Sequence, residues 1–90
     1  MASLEIIVKH SAGLHARPAS KFVQTAIKYP CDITVKNITI PSKTINAKSI
    51  LQVLTLGVNQ DNSVLIEAVG EKETEALTAL KELIESNFGE

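Results

Sequence analysis

Aromatic residues, cysteine, proline and glycine are all scarce in this chain of 90 residues, which has two phenylalanines, one tyrosine, no tryptophan, one cysteine, three prolines and four glycines. So few rings require a core of aliphatic side chains, packed efficiently because the domain is small. A lone Cys31 cannot close an internal disulfide, and its distance in sequence from the two histidines gives no zinc spacing. It is expected to act as a small hydrophobe at a strand start. Lysine and arginine form no basic run and the net charge is −1, which excludes a nucleic-acid footprint and binding to an anionic membrane surface. No stretch approaches the roughly 18 apolar residues of a membrane span, and M-A-S-L-E-I-I-V-K-H lacks the basic start and long apolar run of a signal peptide. A cytoplasmic address is therefore expected, and the glycosylation pattern Asn37-Ile38-Thr39 is read as chance. There is no repeat, low-complexity segment or linker, so residues 1–90 are expected to form one domain, with proteins or small molecules as partners.

Hydrophobic residues make up 44% of the chain, and their spacing defines the elements. Leu4, Ile6 and Val8 alternate with Glu5 and Ile7, which predicts a strand with one buried face. Ala19, Phe22, Val23, Ala26 and Ile27 recur at intervals of three and four, which predicts a helix from about Ala16 to Lys28, ended by Tyr29-Pro30. Ile33 and Val35 alternate again within Asp32–Lys36. A second β-prone run spans Ile38 to Asn46, where Pro41 removes a ladder donor, so that strand is expected to bend or start late. Ser49-x-x-Gln52 has the form of a capping box, and only a short helix fits before Gly57. Val64, Ile66 and Ala68 predict a further strand, and Leu77, Leu80, Leu83 and Ile84 a last helix from Glu71 onward. The order is β-α-β-β-α-β-α, an α+β arrangement with an antiparallel sheet and helices stacked on one side.

The stretch G-L-H-A-R-P-A-S places His15 at the start of the first helix. There the backbone amides of Ala16 and Arg17 lack intrahelical acceptors, and Pro18 costs nothing in a first turn. An anion would meet those amides, the positive end of the helix dipole and the Arg17 guanidinium. The same field disfavours the imidazolium and so favours a neutral, nucleophilic ring that could take a phosphoryl group without a strong metal. Gly13 would permit a tight turn or a close backbone approach. Spacing alone leaves two readings open: a histidine that caps or edges the helix beside a solvated arginine, or an anion and phosphoryl site. His10, ending the first strand, is read as a surface or edge histidine.

G-L-H-A-R-P-A-S, followed some thirty residues later by N-A-K-S-I-L-Q-V-L-T-L-G, resembles the HPr family, the histidine-containing phosphocarriers of the bacterial phosphoenolpyruvate-dependent sugar phosphotransferase system. The resemblance covers nearly the whole chain. It implies an open-faced β-sandwich whose four-stranded antiparallel sheet has the order 1-4-2-3, with three helices covering one face. It implies a stoichiometric carrier rather than an enzyme. His15 would be phosphorylated on Nδ1 by phospho-enzyme I, with Arg17 steadying the group before it passes to the A domain of a sugar permease. Ser49 matches a serine that an ATP-dependent HPr kinase/phosphorylase modifies in many relatives, favouring a complex with a catabolite-control transcription regulator. Ser20, Gln24, Ile27, Ile50, Leu51 and Leu54 match a docking surface. Helical spacing turns Val53 and one of Ile50 or Leu54 inward and Leu51 outward. A monomer with no metal or cofactor is expected.

Two alternatives stand beside this reading: a carrier of the nitrogen-related branch, and a regulatory module that signals through Ser49. Three departures from the family pattern bear on it. Ala12 replaces Asn or Ser, which removes a side-chain brace of the loop that Ser11 could supply instead. K-N-I-T-I-P-S-K lengthens the hairpin connection by about three residues relative to the usual family pattern. Lys72 weakens the cap of the last helix, although Glu71 and Glu73 remain.

Overall fold

A computed structural model, describing residues 1–89, has the elements β1 (Ala2–Ile7), α1 (Ala16–Ile27), β2 (Asp32–Asn37), β3 (Ile45–Asn46), α2 (Ile50–Leu54), β4 (Ser63–Val69), α3 (Glu73–Glu85) and a closing 3₁₀ turn (Asn87–Gly89). The sheet order is β1-β4-β2-β3 and every pairing is antiparallel. Alternation explains the layering. Val64, Ile66 and Ala68 of β4 and Ile33 and Val35 of β2 are buried on the side that faces the helices. The opposite face carries Ser3, Glu5, Thr34, Lys36 and Glu67, which leaves the sandwich open.

On α1 the residues Ala19, Phe22, Val23 and Ala26 are buried, as their spacing predicts, whereas Ile27 is 58% exposed. Phe22 and Phe88 are the largest fully buried side chains, each contributing roughly 2–3 kcal/mol of transfer free energy. Cys31 is buried within the same aliphatic core. The Lys48 ammonium donates to the Tyr29 carbonyl at 2.6 Å, tying the end of α1 to the approach of α2.

The strand expected over Ile38–Asn46 starts late, at Ile45, and the reason lies in Asn37 rather than in Pro41 alone. Asn37 is 2% exposed, and its side-chain Oδ1 accepts the amides of Thr39 (3.0 Å) and Ile40 (3.1 Å). Its side-chain amide donates to Leu56 O and Asn62 Oδ1, and its backbone N–H to Ser42 Oγ. A side chain that satisfies the turn amides offers the backbone an alternative to a ladder, so the added residues fold as a turn. The burial of Asn37 also agrees with reading Asn37-Ile38-Thr39 as chance.

The last helix begins at Glu73, two residues later than predicted. Lys72 at its N-cap lies in the left-handed region (φ 65°) and caps nothing with its side chain. Glu73 supplies the brace instead: Oε1 accepts the Gly70 amide at 3.2 Å and Oε2 lies 2.9 Å from the Met1 ammonium. The ammonium first, and the Gly70 amide second, hold the Glu73 carboxyl below its ordinary range. A carboxyl depressed in the folded state contributes stability above its unfolded pKa and loses that contribution as pH falls through the folded value. Glu73→Gln is therefore expected to lower the thermal midpoint slightly at pH 6, with the difference vanishing as the pH falls through the depressed folded-state value and shrinking in high salt. Paired melting curves over that range check it; a pH-independent difference would contradict the ion-pair account.

Candidate functional site

The β1–α1 and β2–β3 connections leave, and the α2–β4 connection enters, the same end of the sheet, where β1 and β2 end and β4 begins. The β1–α1 loop carries His15 there, and both backbone hydrogen bonds and buried side chains shape it. Gly13 donates to the His10 carbonyl at 2.8 Å and Leu14 to the Val58 carbonyl at 3.0 Å. Gly13 has φ +61°, and a Cβ built on it would lie 2.1 Å from Val58 O and 2.8 Å from the Asn59 Cα. The close approach that Gly13 permits is therefore to this chain's own segment 58–59. Leu14 is fully buried, which anchors the loop in the core immediately before His15.

His15 is the N-cap of α1, with extended φ/ψ and no side-chain capping bond. Its ring is half-buried, and the capping alternative is not what the geometry gives. Ala16 and Arg17 occupy the first two helical positions and the buried Pro18 the third. Two amide donors therefore remain unpaired within the helix, since Pro18 has none and Ala19 reaches His15 O only at 3.5 Å. Arg17 is exposed and makes no hydrogen bond or ion pair among the described residues. An uncapped imidazole, two free amides, a dipole end and an unengaged guanidinium form a surface cradle for a tetrahedral anion.

Ala16 carries strain that the sequence does not announce: its φ is +49°. The left-handed region costs an L-residue about 1–2 kcal/mol, of which glycine's greater entropy loss returns about 0.5–1 kcal/mol. Ala16→Gly is thus expected to raise stability by up to about 1 kcal/mol, a few degrees in thermal midpoint. A lower midpoint in calorimetry would rule out this strain.

The residues of the expected docking surface lie on α1 and α2, which pack against each other. Ser20 is half-buried and accepts from the exposed Gln24 at 3.2 Å, and Ile27 is exposed. Leu51 is 75% exposed and Val53 fully buried, as spacing predicts, but Ile50 and Leu54 are both exposed. Five residues make too short a helix for either to turn fully inward, and Leu56 fills the core after α2 instead. Ser49 is the N-cap of α2, and its Oγ accepts the Gln52 amide at 3.4 Å. The reciprocal half of the box is redirected: Gln52 Oε1 accepts from Asn46 N, while Ser49 N donates to Asn46 O. A groove between β1 and the end of α3, lined by Glu5, Ile6, Lys9 and Ile84 among others, contains none of these residues.

Two expectations about the loop need correction. His10 is not a surface histidine but is 8% exposed, because Phe88 from the far end of the chain stacks edge-on against it at 5.8 Å. Ser11 does not brace the loop in place of the missing residue 12 side chain; the Ala12 amide donates to His10 Nδ1 at 3.0 Å. Position 10, two residues before the amide it binds, is where an Asx-like turn acceptor would stand, and that spacing was the available signal.

The PTS-HPr family model, the PTS HPr component phosphorylation site, matches residues 2–86. The chain belongs to the HPr family. Phosphocarrier protein HPr of Pseudomonas aeruginosa is 41% identical over 90 residues, covering 100% of this chain and 98% of that protein. The crystal structure of HPr-C-His from Thermoanaerobacter tengcongensis superposes with a TM-score of 0.93 at 49% identity, covering 100% of this chain and 98% of that one. A multiphosphoryl transfer protein of Salmonella typhimurium is 35% identical over 88 residues, 98% of this chain but 23% of that protein. HPr membership carries the general role of a phosphocarrier of the phosphotransferase system and accounts for the sheet order and the three helices. Among the described residues no helix is long and apolar enough to cross a membrane.

Proposed function

We propose that His15 is the phosphoryl acceptor, taking the group on Nδ1 from phospho-enzyme I and passing it to the A domain of a sugar permease. The observation that carries this is the half-exposed, uncapped His15 imidazole at the start of α1, beside free amides and an unengaged Arg17. The ring nitrogen's lone pair attacks phosphorus as the bond to the donor breaks, and the Ala16 and Arg17 amides with the guanidinium neutralise the transferred oxygens. Return of the group to the next acceptor reverses the same step. Exposed Ile27 shares α1 with Arg17 and Lys21, exposed Leu51 and Leu54 lie on α2 shortly after Lys48, the two helices pack together, and neither contains an acidic residue. Such a surface suits transient docking to partners that pair aliphatic and acidic groups.

Ser49 is the proposed regulatory position, for an ATP-dependent kinase and a catabolite-control transcription regulator. A phosphate at this exposed edge would add roughly −1.5 to −2 charges to a face otherwise free of acidic residues, and so repel the same partners. With phosphoenolpyruvate, enzyme I and Mg²⁺, the label is expected to be base-stable and acid-labile, and to map by mass spectrometry to the peptide holding His15. An acid-stable label under those conditions would contradict transfer through a histidine.

A further inference from the structure

We infer that His10 is a positioning residue for phosphoryl transfer, its Nδ1 lone pair fixing the loop that presents His15. This rests on the reading of His15 as the acceptor. Three observations converge on residue 10. Its Nδ1 accepts the Ala12 amide at 3.0 Å, and its carbonyl accepts the Gly13 amide at 2.8 Å. Its ring is buried against the edge of Phe88, which limits its rotation. One residue thus holds two successive amides of a loop whose other end is pinned by Leu14 N to Val58 O.

The chemistry selects the tautomer. A bond accepted at Nδ1 uses that nitrogen's lone pair, so the proton of the neutral ring sits on Nε2. The imidazole does here what the side chain of an Asn does in an Asx turn, satisfying an amide two residues onward. Because Ala12 has no polar side chain of its own, the acceptor that orders this turn comes from His10. His10 makes no direct contribution to chemistry at His15; it sets where Leu14, and therefore the imidazole after it, is held. Small displacements matter in group transfer, since a misplacement of about 1 Å can cost about a hundredfold in rate.

Two substitutions separate the acceptor from the ring. His10→Asn keeps an acceptor for the Ala12 amide and loses the contact with Phe88; His10→Leu fills apolar space and loses the acceptor. With enzyme I charged by phosphoenolpyruvate, His10→Leu is expected to lower kcat about ten- to a hundredfold with KM nearly unchanged. His10→Asn is expected to keep kcat within about threefold of the wild type despite a lower thermal midpoint. In the labelled wild type, a scalar coupling across the hydrogen bond between the Ala12 amide nitrogen and His10 Nδ1 is expected by NMR. A wild-type rate in His10→Leu, equal slowing in both variants, or absence of that coupling overturns the inference while leaving His15 as the acceptor. A wild type that takes no label overturns both.

Discussion

His15→Ala is expected to abolish phosphoryl acceptance, by at least about 10⁴-fold, while leaving the fold in place. The loss is large because the imidazole is the attacking group, and an arginine with two amides can hold a phosphate but cannot bond to phosphorus at neutral pH. The stability cost is small because the His15 side chain caps nothing in α1 and is half-exposed. Replacement at such a position stays within about 0.5–1 kcal/mol. Labelling by enzyme I and phosphoenolpyruvate, run beside a melting curve, checks both halves. Equal labelling of His15→Ala and wild type would remove His15 from the chemistry; no measurable transfer to the wild type, together with normal signalling by His15→Ala, would revive the regulatory-module reading.

Gly13→Ala is expected to be the most damaging change in the loop for stability, at about 3–5 kcal/mol. One part is the left-handed φ of +61°, worth about 1–2 kcal/mol to any L-residue. The larger part is steric, because the new methyl would lie 2.1 Å from Val58 O, an atom of the backbone that already accepts Leu14 N. That segment cannot yield like a flexible side chain, so either the Leu14 bond or the seat of Leu14 in the core must go. For a domain of this size the thermal midpoint would fall by about 12–40 °C. Gly57→Ala supplies the comparison. Gly57 has φ +64° with nothing within 4 Å of a built Cβ, so only the conformational part of about 1–2 kcal/mol applies. Similar losses in the two variants, measured by denaturant unfolding, would show that the Val58 contact carries no weight. Transfer at His15 should fall in Gly13→Ala even where the protein remains folded, because the loop is pinned through Leu14.

Patterns confined to a few consecutive residues were legible beforehand. The alternation in Val64–Ala68, the spacing of Ala19, Phe22, Val23 and Ala26, and the placing of His15, Ala16, Arg17 and Pro18 at a helix start all depend on residues within one or two turns of each other. Their physical determinants, side-chain periodicity and the unpaired amides of a first turn, are equally local. Where structure departs from pattern, side chains or chain segments outside the local period intervene in most cases. Asn37 reorganised the β2–β3 connection because Leu56 and Asn62 come back to meet it. Glu73 delayed α3 because Met1 and Gly70 claim its carboxylate. Ile50 and Leu54 are a local exception: α2 is too short to turn them fully inward, and the neighbouring Val53 and Leu56 complete the core.

By itself, the sequence determined the element order, the layer that each apolar face buries against, and the presence of a histidine and an arginine at one helix start. Tertiary structure alone decided how that histidine is held. Val58 supplies the surface on which Gly13 rests, and Phe88 from the last turn buries His10, whose Nδ1 meets the Ala12 amide. Periodicity records which way a residue faces along its own element. A carbonyl forty-five positions away that excludes a methyl group from Gly13 leaves no periodic trace, since its effect exists only once the chain has closed upon itself.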